Sequence, residues 1–321
     1  MITAANSAIT HYADGISAID TEYYRQQLDA SHLIVRNGRA AFVDTGPATA
    51  LPKLLAALEA KDLAREQVDY VLLTHVHLDH AGGAGSLMRE LPNATLVVHP
   101  RGARHMIDPS KLVAGSIQVY GEEAFKRLHG EVLPVPQERV RVVDDGERLE
   151  LGGSSLELIH TEGHARHHYC IVDQDSDSIF SGDSFGISYR VFDSPAGAFI
   201  YPTTTPVQFD PEQAHATVDR ILAYAPQAVF LTHYSRVTDV PRLAADLHRD
   251  LDEFVRIARR HAERADPQGA IAKDLEWYLR RRLDEHGVDL PEALISDWLA
   301  MDVQLNAQGL AVWLAGQGRT A

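Results

Sequence analysis

An apolar run, Val68-Asp-Tyr-Val-Leu-Leu73, leads directly into Thr74-His75-Val-His77-Leu-Asp79-His80. The run has the length and near-continuous hydrophobicity of a buried strand. Positions 75–80 then hold three histidines and an aspartate, a density a polar surface loop has no use for. Neutral imidazole and carboxylate are ligands for Zn²⁺, Fe or Mn²⁺. A loop after a strand end is where α/β folds place functional groups, so the chain is read as an α/β protein with its chemistry at strand ends.

Three more segments follow candidate strands in the same way. Thr161-Glu-Gly163-His164 comes after a strand ending near His160, Ser181-Gly182-Asp183 after a short one, and Thr232-His233 after Ala228–Leu231. Taken singly, His164 and His233 read as core histidines and Asp183 as a turn residue. Beside the first cluster they read as ligands, and the set becomes His75, His77, Asp79, His80, His164, Asp183 and His233. Cys170 is the sole cysteine, so an intramolecular disulfide and a thiolate zinc cluster are excluded.

The rest of the first half alternates strand and helix signals. His32–Arg36 and Arg39–Asp44 flank Asn37-Gly38, a type I′ hairpin signal. Residues 51–61 have helical spacing, Gly82-Gly83 is expected to open a helix reaching Leu91, and 94–98, 155–159, 168–172 and 178–180 read as strands. Asp210-Pro211 reads as a cap and first residue of a helix to Tyr224. From Pro241 the character changes: 241–266, 270–286 and 291–315 are all helical in period. The expected division is a catalytic domain over 1–240 and a helical extension over 241–321.

Thirty Lys and Arg against 45 Asp and Glu leave a net charge of −15, which disfavours nucleic-acid partners. No apolar run approaches the ~18 residues of a membrane span. The opening Met1-Ile-Thr-Ala-Ala-Asn lacks a basic stretch followed by an apolar one, so no signal peptide and a cytoplasmic setting are expected.

The order His75-x-His77-x-Asp79-His80, Gly163-His164, Gly182-Asp183 and His233, with Val43-Asp44-Thr45-Gly46 ahead of it, resembles the metallo-β-lactamase superfamily over about residues 20–240. The resemblance implies an αββα sandwich, two mixed sheets face to face with helices outside. It implies two divalent ions, Zn²⁺ first with Fe or Mn²⁺ as alternatives. His75, His77 and His164 would hold one ion, Asp79, His80 and His233 the other, and Asp183 would bridge them. A bridging hydroxide between such ions is the expected nucleophile. Asp183 stands where antibiotic-degrading members carry Cys, so β-lactam hydrolysis is not expected. Glu162 replaces the Pro common before the Gly-His pair, a change in a loop and not in a ligand.

The expected activity is therefore hydrolysis of an ester-like bond, a thioester, lactone or phosphoester, in a small molecule. Asp79 or a metal-bound water would protonate the leaving group. Tyr189 and Tyr201, in the long aromatic segment 184–210, are candidates for polarising a substrate oxygen, against the alternative that they pack the segment. Asp44 is expected to support the ligands without being one. Two other readings stand beside this one: a metal-binding effector with vestigial hydrolysis, and a one-iron oxygenase, which has no need of His80 and His233. The apolar residues of 291–315 are expected to pack on the sandwich, beside the pocket, or in a homodimer.

Overall fold

A computed structural model describes residues 9–204 and 207–317. The opening Met1–Asn6, read above for a leader, and Thr205 and Pro206 of the aromatic segment lie outside these residues. The chain forms two compact units that interleave along the sequence. The first comprises residues up to 160, 167–182 and 232–235; the second comprises 161–166, 183–231 and the residues from 236 on.

The first unit holds a seven-stranded sheet: β1 (Ile9–His11), β2 (Ile16–Asp20), β3 (Ala30–Arg36), β4 (Arg39–Val43), β5 (Val68–Leu72), β6 (Thr95–Val98) and β7 (Val140–Val142), in chain order. β1 to β4 form an antiparallel meander, and β4 to β7 are parallel. The β3–β4 turn has positive φ at Asn37 (46°) and Gly38 (76°), the two left-handed residues a type I′ turn requires. A second, antiparallel set contains β8 (Glu147–Leu151), β9 (Ser154–His160), β10 (Tyr169–Asp173) and β11 (Ser178–Gly182).

The two sheets face each other inside this unit. The His32 and Phe180 rings meet at 5.4 Å, and Tyr169 donates its hydroxyl to Val97 O at 2.9 Å. Arg36 and Asp173, both buried, pair at 2.5 Å across the strands β3 and β10. β2, β10 and β11 are buried along their whole length. On the other face of the first sheet, Leu54, Ala57 and Leu58 of helix Leu51–Glu59 and Leu87 and Met88 of helix Ala84–Glu90 pack on Leu33, Phe42, Val71 and Leu96. Helices Pro100–Ile107, Ser110–Tyr120 and Glu122–His129 are not among the elements expected from sequence. They are short, and the first depends on His99, whose Nδ1 accepts from Arg101 N at 3.1 Å.

The second unit is chiefly helical. Asp210 caps helix Pro211–Ala223, accepting from Glu212 N and Gln213 N at 3.1 and 3.2 Å, as its Asp-Pro start predicts. This helix packs on Val240–Arg260. Pro267–Glu285 and Glu292–Gln317 complete the unit, which also contains strand β12 (Ala228–Leu231). The first of the C-terminal helices stops at Arg260 and not at 266, because Asp266 accepts from Gly269 N at 3.0 Å and begins a new helix at Pro267. Among the described residues no helix is long and apolar enough to cross a membrane.

Candidate metal centre

The chain leaves β5 through Thr74, whose N donates to Asp44 Oδ1 at 2.8 Å. His77 is extended (φ −63°, ψ 149°), and a helical turn, Leu78–Ala81, follows at once. Asp79 and His80 therefore sit on a helix, ahead of the Gly82-Gly83 start expected from sequence. Gly83 N instead donates to Gly46 O at 2.8 Å and ties this turn to the Asp44 loop.

Five of the seven expected ligands belong to the first unit. His75 Nε2 and His77 Nδ1 converge to 2.8 Å. Asp79 Oδ2 lies 3.8 Å from His80 Nε2 and 3.6 Å from His233 Nε2. Asp79, His80 and His233 form a group whose ligand atoms all lie within 4.8 Å of one another. Two ligands on a tetrahedral ion at about 2.0–2.1 Å would stand about 3.3 Å apart, so the two edges at Asp79 are within about half an ångström of that spacing.

For His75, His80 and His233 the other ring nitrogen explains why Nε2 points inward. His80 Nδ1 donates to Asp44 Oδ2 at 2.8 Å. His233 Nδ1 lies 2.8 Å from Leu28 O, and a carbonyl can only accept, so Nδ1 carries the proton. Thr74 Oγ1 gives its hydrogen to Asp44 Oδ2 at 2.8 Å and so accepts from His75 Nδ1 at 3.2 Å. In each ring Nε2 keeps its lone pair, the form a metal needs.

Asp44 is the hub. It accepts from Thr74 N and Oγ1, from His80 and from Thr232 Oγ1 at 2.9 Å, and it is fully buried. Gly182 leads to Asp183 with φ +50°, and a Cβ there would lie 2.6 Å from Thr74 Oγ1 and 2.7 Å from His168 Nε2. Only glycine lets the end of β11 approach Thr74 so closely.

His164 and Asp183 belong to the second unit. Gly163 has φ +125°, and a Cβ on it would meet Ala214 of helix Pro211–Ala223 at 2.5 Å. His164 Nδ1 donates to Thr203 O at 3.4 Å. Its Nε2 lies 3.5 Å from Asp183 Oδ2, and both side chains are buried. A small pocket of this unit is lined by His164, Asp183, Ser184, Thr203, Leu247 and Leu251. Helix Val240–Arg260, the start of the C-terminal extension, thus walls the pocket containing two expected ligands.

The two tyrosines are placed differently from a substrate-facing expectation. Tyr189 and Tyr201 are 1% and 0% exposed. Tyr189 packs on Trp298 with ring centroids 5.0 Å apart. Tyr201 donates to Asp302 Oδ2 at 2.7 Å, and burial together with Asp302 holds its phenol protonated, well above its ordinary range. The segment's aromatics find partners on the C-terminal helices, which residues 184–210 taken alone do not contain. Tyr201→Phe is expected to lower stability by about 1–2 kcal/mol and to leave kcat near the wild-type value. A kcat drop of about ten- to a hundredfold with metal retained would return this phenol to the substrate.

Asp29 is a residue that sequence reasoning missed. It is fully buried beside Leu28 and accepts from Thr21 Oγ1 at 2.8 Å. Burial pushes its carboxyl up to about 7, while His233 and His80 pull it down and Asp79 raises it. Its only sequence signal is a position just before β3, far along the chain from the histidines it senses. His168, buried, stacks on His75 with centroids 4.9 Å apart.

The donor set fits a borderline divalent ion: imidazole nitrogens with their tautomers set from behind, and carboxylates. A family model described as the metallo-beta-lactamase superfamily matches residues 30–234. A metallo-beta-lactamase fold-containing protein of Sulfurisphaera tokodaii is 29% identical over 177 residues, 52% of this chain and 61% of that protein. A hydroxyacylglutathione hydrolase of Aeromonas hydrophila is 29% identical over 192 residues, 60% of this chain and 55% of the relative. An acyl-coenzyme A thioesterase of Homo sapiens is 29% identical over 200 residues, covering 55% and 67%. The chain thus spans about three-fifths of the length of the first of these relatives and a little over half of the second. The crystal structure of an archaeal superfamily protein from Sulfolobus tokodaii superposes with a TM-score of 0.66 at 21% identity, over 93% of this chain and 99% of that one. A family protein from Thermus thermophilus gives 0.66 at 18% identity, over 95% and 94%. The match over 30–234, on a chain whose histidines and aspartates gather as described, establishes that this protein belongs to the metallo-beta-lactamase superfamily.

Proposed function

We propose that the chain is a metal-dependent hydrolase of a thioester bond in a small acyl conjugate. It would hold two divalent ions, zinc first and iron or manganese as alternatives. In this reading His75, His77 and His164 would serve one ion, Asp79, His80 and His233 would serve the other, and Asp183 would be a ligand shared by both. The observation that carries this reading is the tautomer control: His75, His80, His164 and His233 each have Nδ1 on an acceptor, which leaves the Nε2 lone pair for a metal. Rings in an ordinary core have no need of one common form.

Divalent ions in such a site lower the pKa of water and polarise a carbonyl. The protein's own part is orientation and proton handling. Asp79 is 27% exposed against 0% for His80 and 7% for His233, so it is the group of its cluster that reaches a bound substrate. It serves as the proton carrier to the leaving sulfur. A thiol has a pKa near ~8.5, so a thiolate leaves with little assistance and one modest acid suffices. Water adds to the carbonyl carbon, the C–S bond breaks, and a carboxylate and a thiol result. The names of the hydroxyacylglutathione hydrolase and the acyl-coenzyme A thioesterase both describe thioesters, which supports this bond over a lactone or phosphodiester.

The test is thiol release from a hydroxyacyl glutathione thioester and an acyl-coenzyme A, beside lactone and phosphodiester controls, with elemental analysis of the same protein. About two metal equivalents and chelator-sensitive thioester turnover are expected. One equivalent or less after Zn²⁺ or Mn²⁺ supplementation overturns the two-ion site. Phosphodiester turnover without thioester turnover overturns the substrate class.

A further inference from the structure

Helix Glu292–Gln317 carries two buried polar residues, Asp302 and Asn306, 6% and 1% exposed. Their spacing of four puts them on one helical face. A buried polar group is costly unless partners meet it. Here the partners come from one stretch, residues 201–204. Tyr201 donates to Asp302 Oδ2 at 2.7 Å. Thr204 donates to Asn306 Oδ1 from N at 2.5 Å and from Oγ1 at 3.0 Å. Asn306 Nδ2 donates to Pro202 O at 3.4 Å.

The residue between these anchors is Thr203, whose carbonyl accepts from His164 Nδ1. Thr203 C=O and Thr204 N–H are two ends of a single peptide unit, which is planar and rigid. Asn306 therefore grips the back of the plate whose front faces His164. We propose that Asn306, assisted by Asp302, is a positioning residue for the metal ligand His164, acting through the Thr203–Thr204 peptide. The inference rests on the reading of His164 as a ligand. At 3.4 Å the Nδ1–H···O bond is long and weak, so the ring's aim depends on the carbonyl being held still. If the peptide turns, the Thr203 carbonyl no longer holds the Nδ1–H, and the aim of Nε2 toward Asp183 loosens. The C-terminal helix thereby gains a role at the site without contributing a ligand.

The experiment compares Asn306→Leu with Asn306→Asp, which keeps an acceptor for Thr204 N, and with Leu310→Ala, a buried packing change on the same helix. Full-length protein is stripped and titrated with Zn²⁺ and Co²⁺ against a chelator, and Co²⁺ spectra are recorded. Because His164 serves one ion of the two, Asn306→Leu should weaken one equivalent by about tenfold and leave the other within about twofold. Asn306→Asp should recover part of the loss, and Leu310→Ala should leave both equivalents near wild type. Asn306→Ser repeats the test if the leucine variant does not accumulate. Unchanged affinities in Asn306→Leu, equal weakening of both equivalents, or the same loss in Leu310→Ala would overturn the positioning role. Wild-type protein that takes up no metal overturns the ligand reading itself, and this inference with it.

Discussion

Asp79→Ala is expected to cut thioester turnover by about a thousandfold and to remove one metal equivalent, with the fold retained. Asp79 supplies the only negative charge of the Asp79–His80–His233 group, and its oxygen is the atom both imidazoles face, at 3.8 and 3.6 Å. Losing it removes a ligand and the proposed proton carrier together, so the effect lies at or above the top of the about 10²–10³ typical of a single stabilising contact. The fold should survive, because the side chain is partly exposed and alanine suits the helical turn on which it sits. Elemental analysis, the thiol-release assay and a thermal melt on one preparation check all three statements. Wild-type turnover with wild-type metal content would remove Asp79 from the site.

The second large effect is expected at Asp44, where stability and metal binding should fall together. Asp44→Ala leaves Thr74 N, His80 Nδ1 and the Thr74 and Thr232 hydroxyls without their acceptor in a fully buried place. Hydroxyls can rotate to new partners, but the amide and the ring N–H cannot. At about 1–3 kcal/mol for each orphaned group, a loss of about 3–5 kcal/mol is expected. Urea unfolding of metal-free protein reads this directly. The same protein should bind metal more weakly, because His80 and, through Thr74, His75 lose the partner that sets their tautomers. An unfolding midpoint and metal affinity both equal to wild type would show that Asp44 is not the hub of the site.

Much of the site is legible in the linear chain, for local reasons. The His75–His80 cluster is dense enough to stand out by residue type, and Gly163 and Gly182 announce backbone approaches that other residues cannot make. Asn37-Gly38 and Asp210-Pro211 encode a turn and a cap within a few residues, and both form where expected. The helical turn under Asp79 is harder, because four residues are too few to show a period. Asp29 and Asn306 are invisible for another reason. Each matters through a residue far away in sequence, Asn306 through Thr204 about a hundred positions before it.

What this sequence determined by itself was the inventory: which side chains can take a metal, which strands deliver them, and where the backbone must bend through glycine. Those depend on residue type and near-neighbour spacing, which a linear chain displays. The tertiary structure alone decided how each group is aimed. Asp44 became the acceptor for groups from two separate stretches, Thr74 and His80 in one and Thr232 in the other. Tyr201, open to a substrate role by sequence, turned to Asp302 because a buried phenol needs an acceptor and the C-terminal helix supplied one. A hydrogen bond is short and directional, so its partner is settled only when distant segments are packed together.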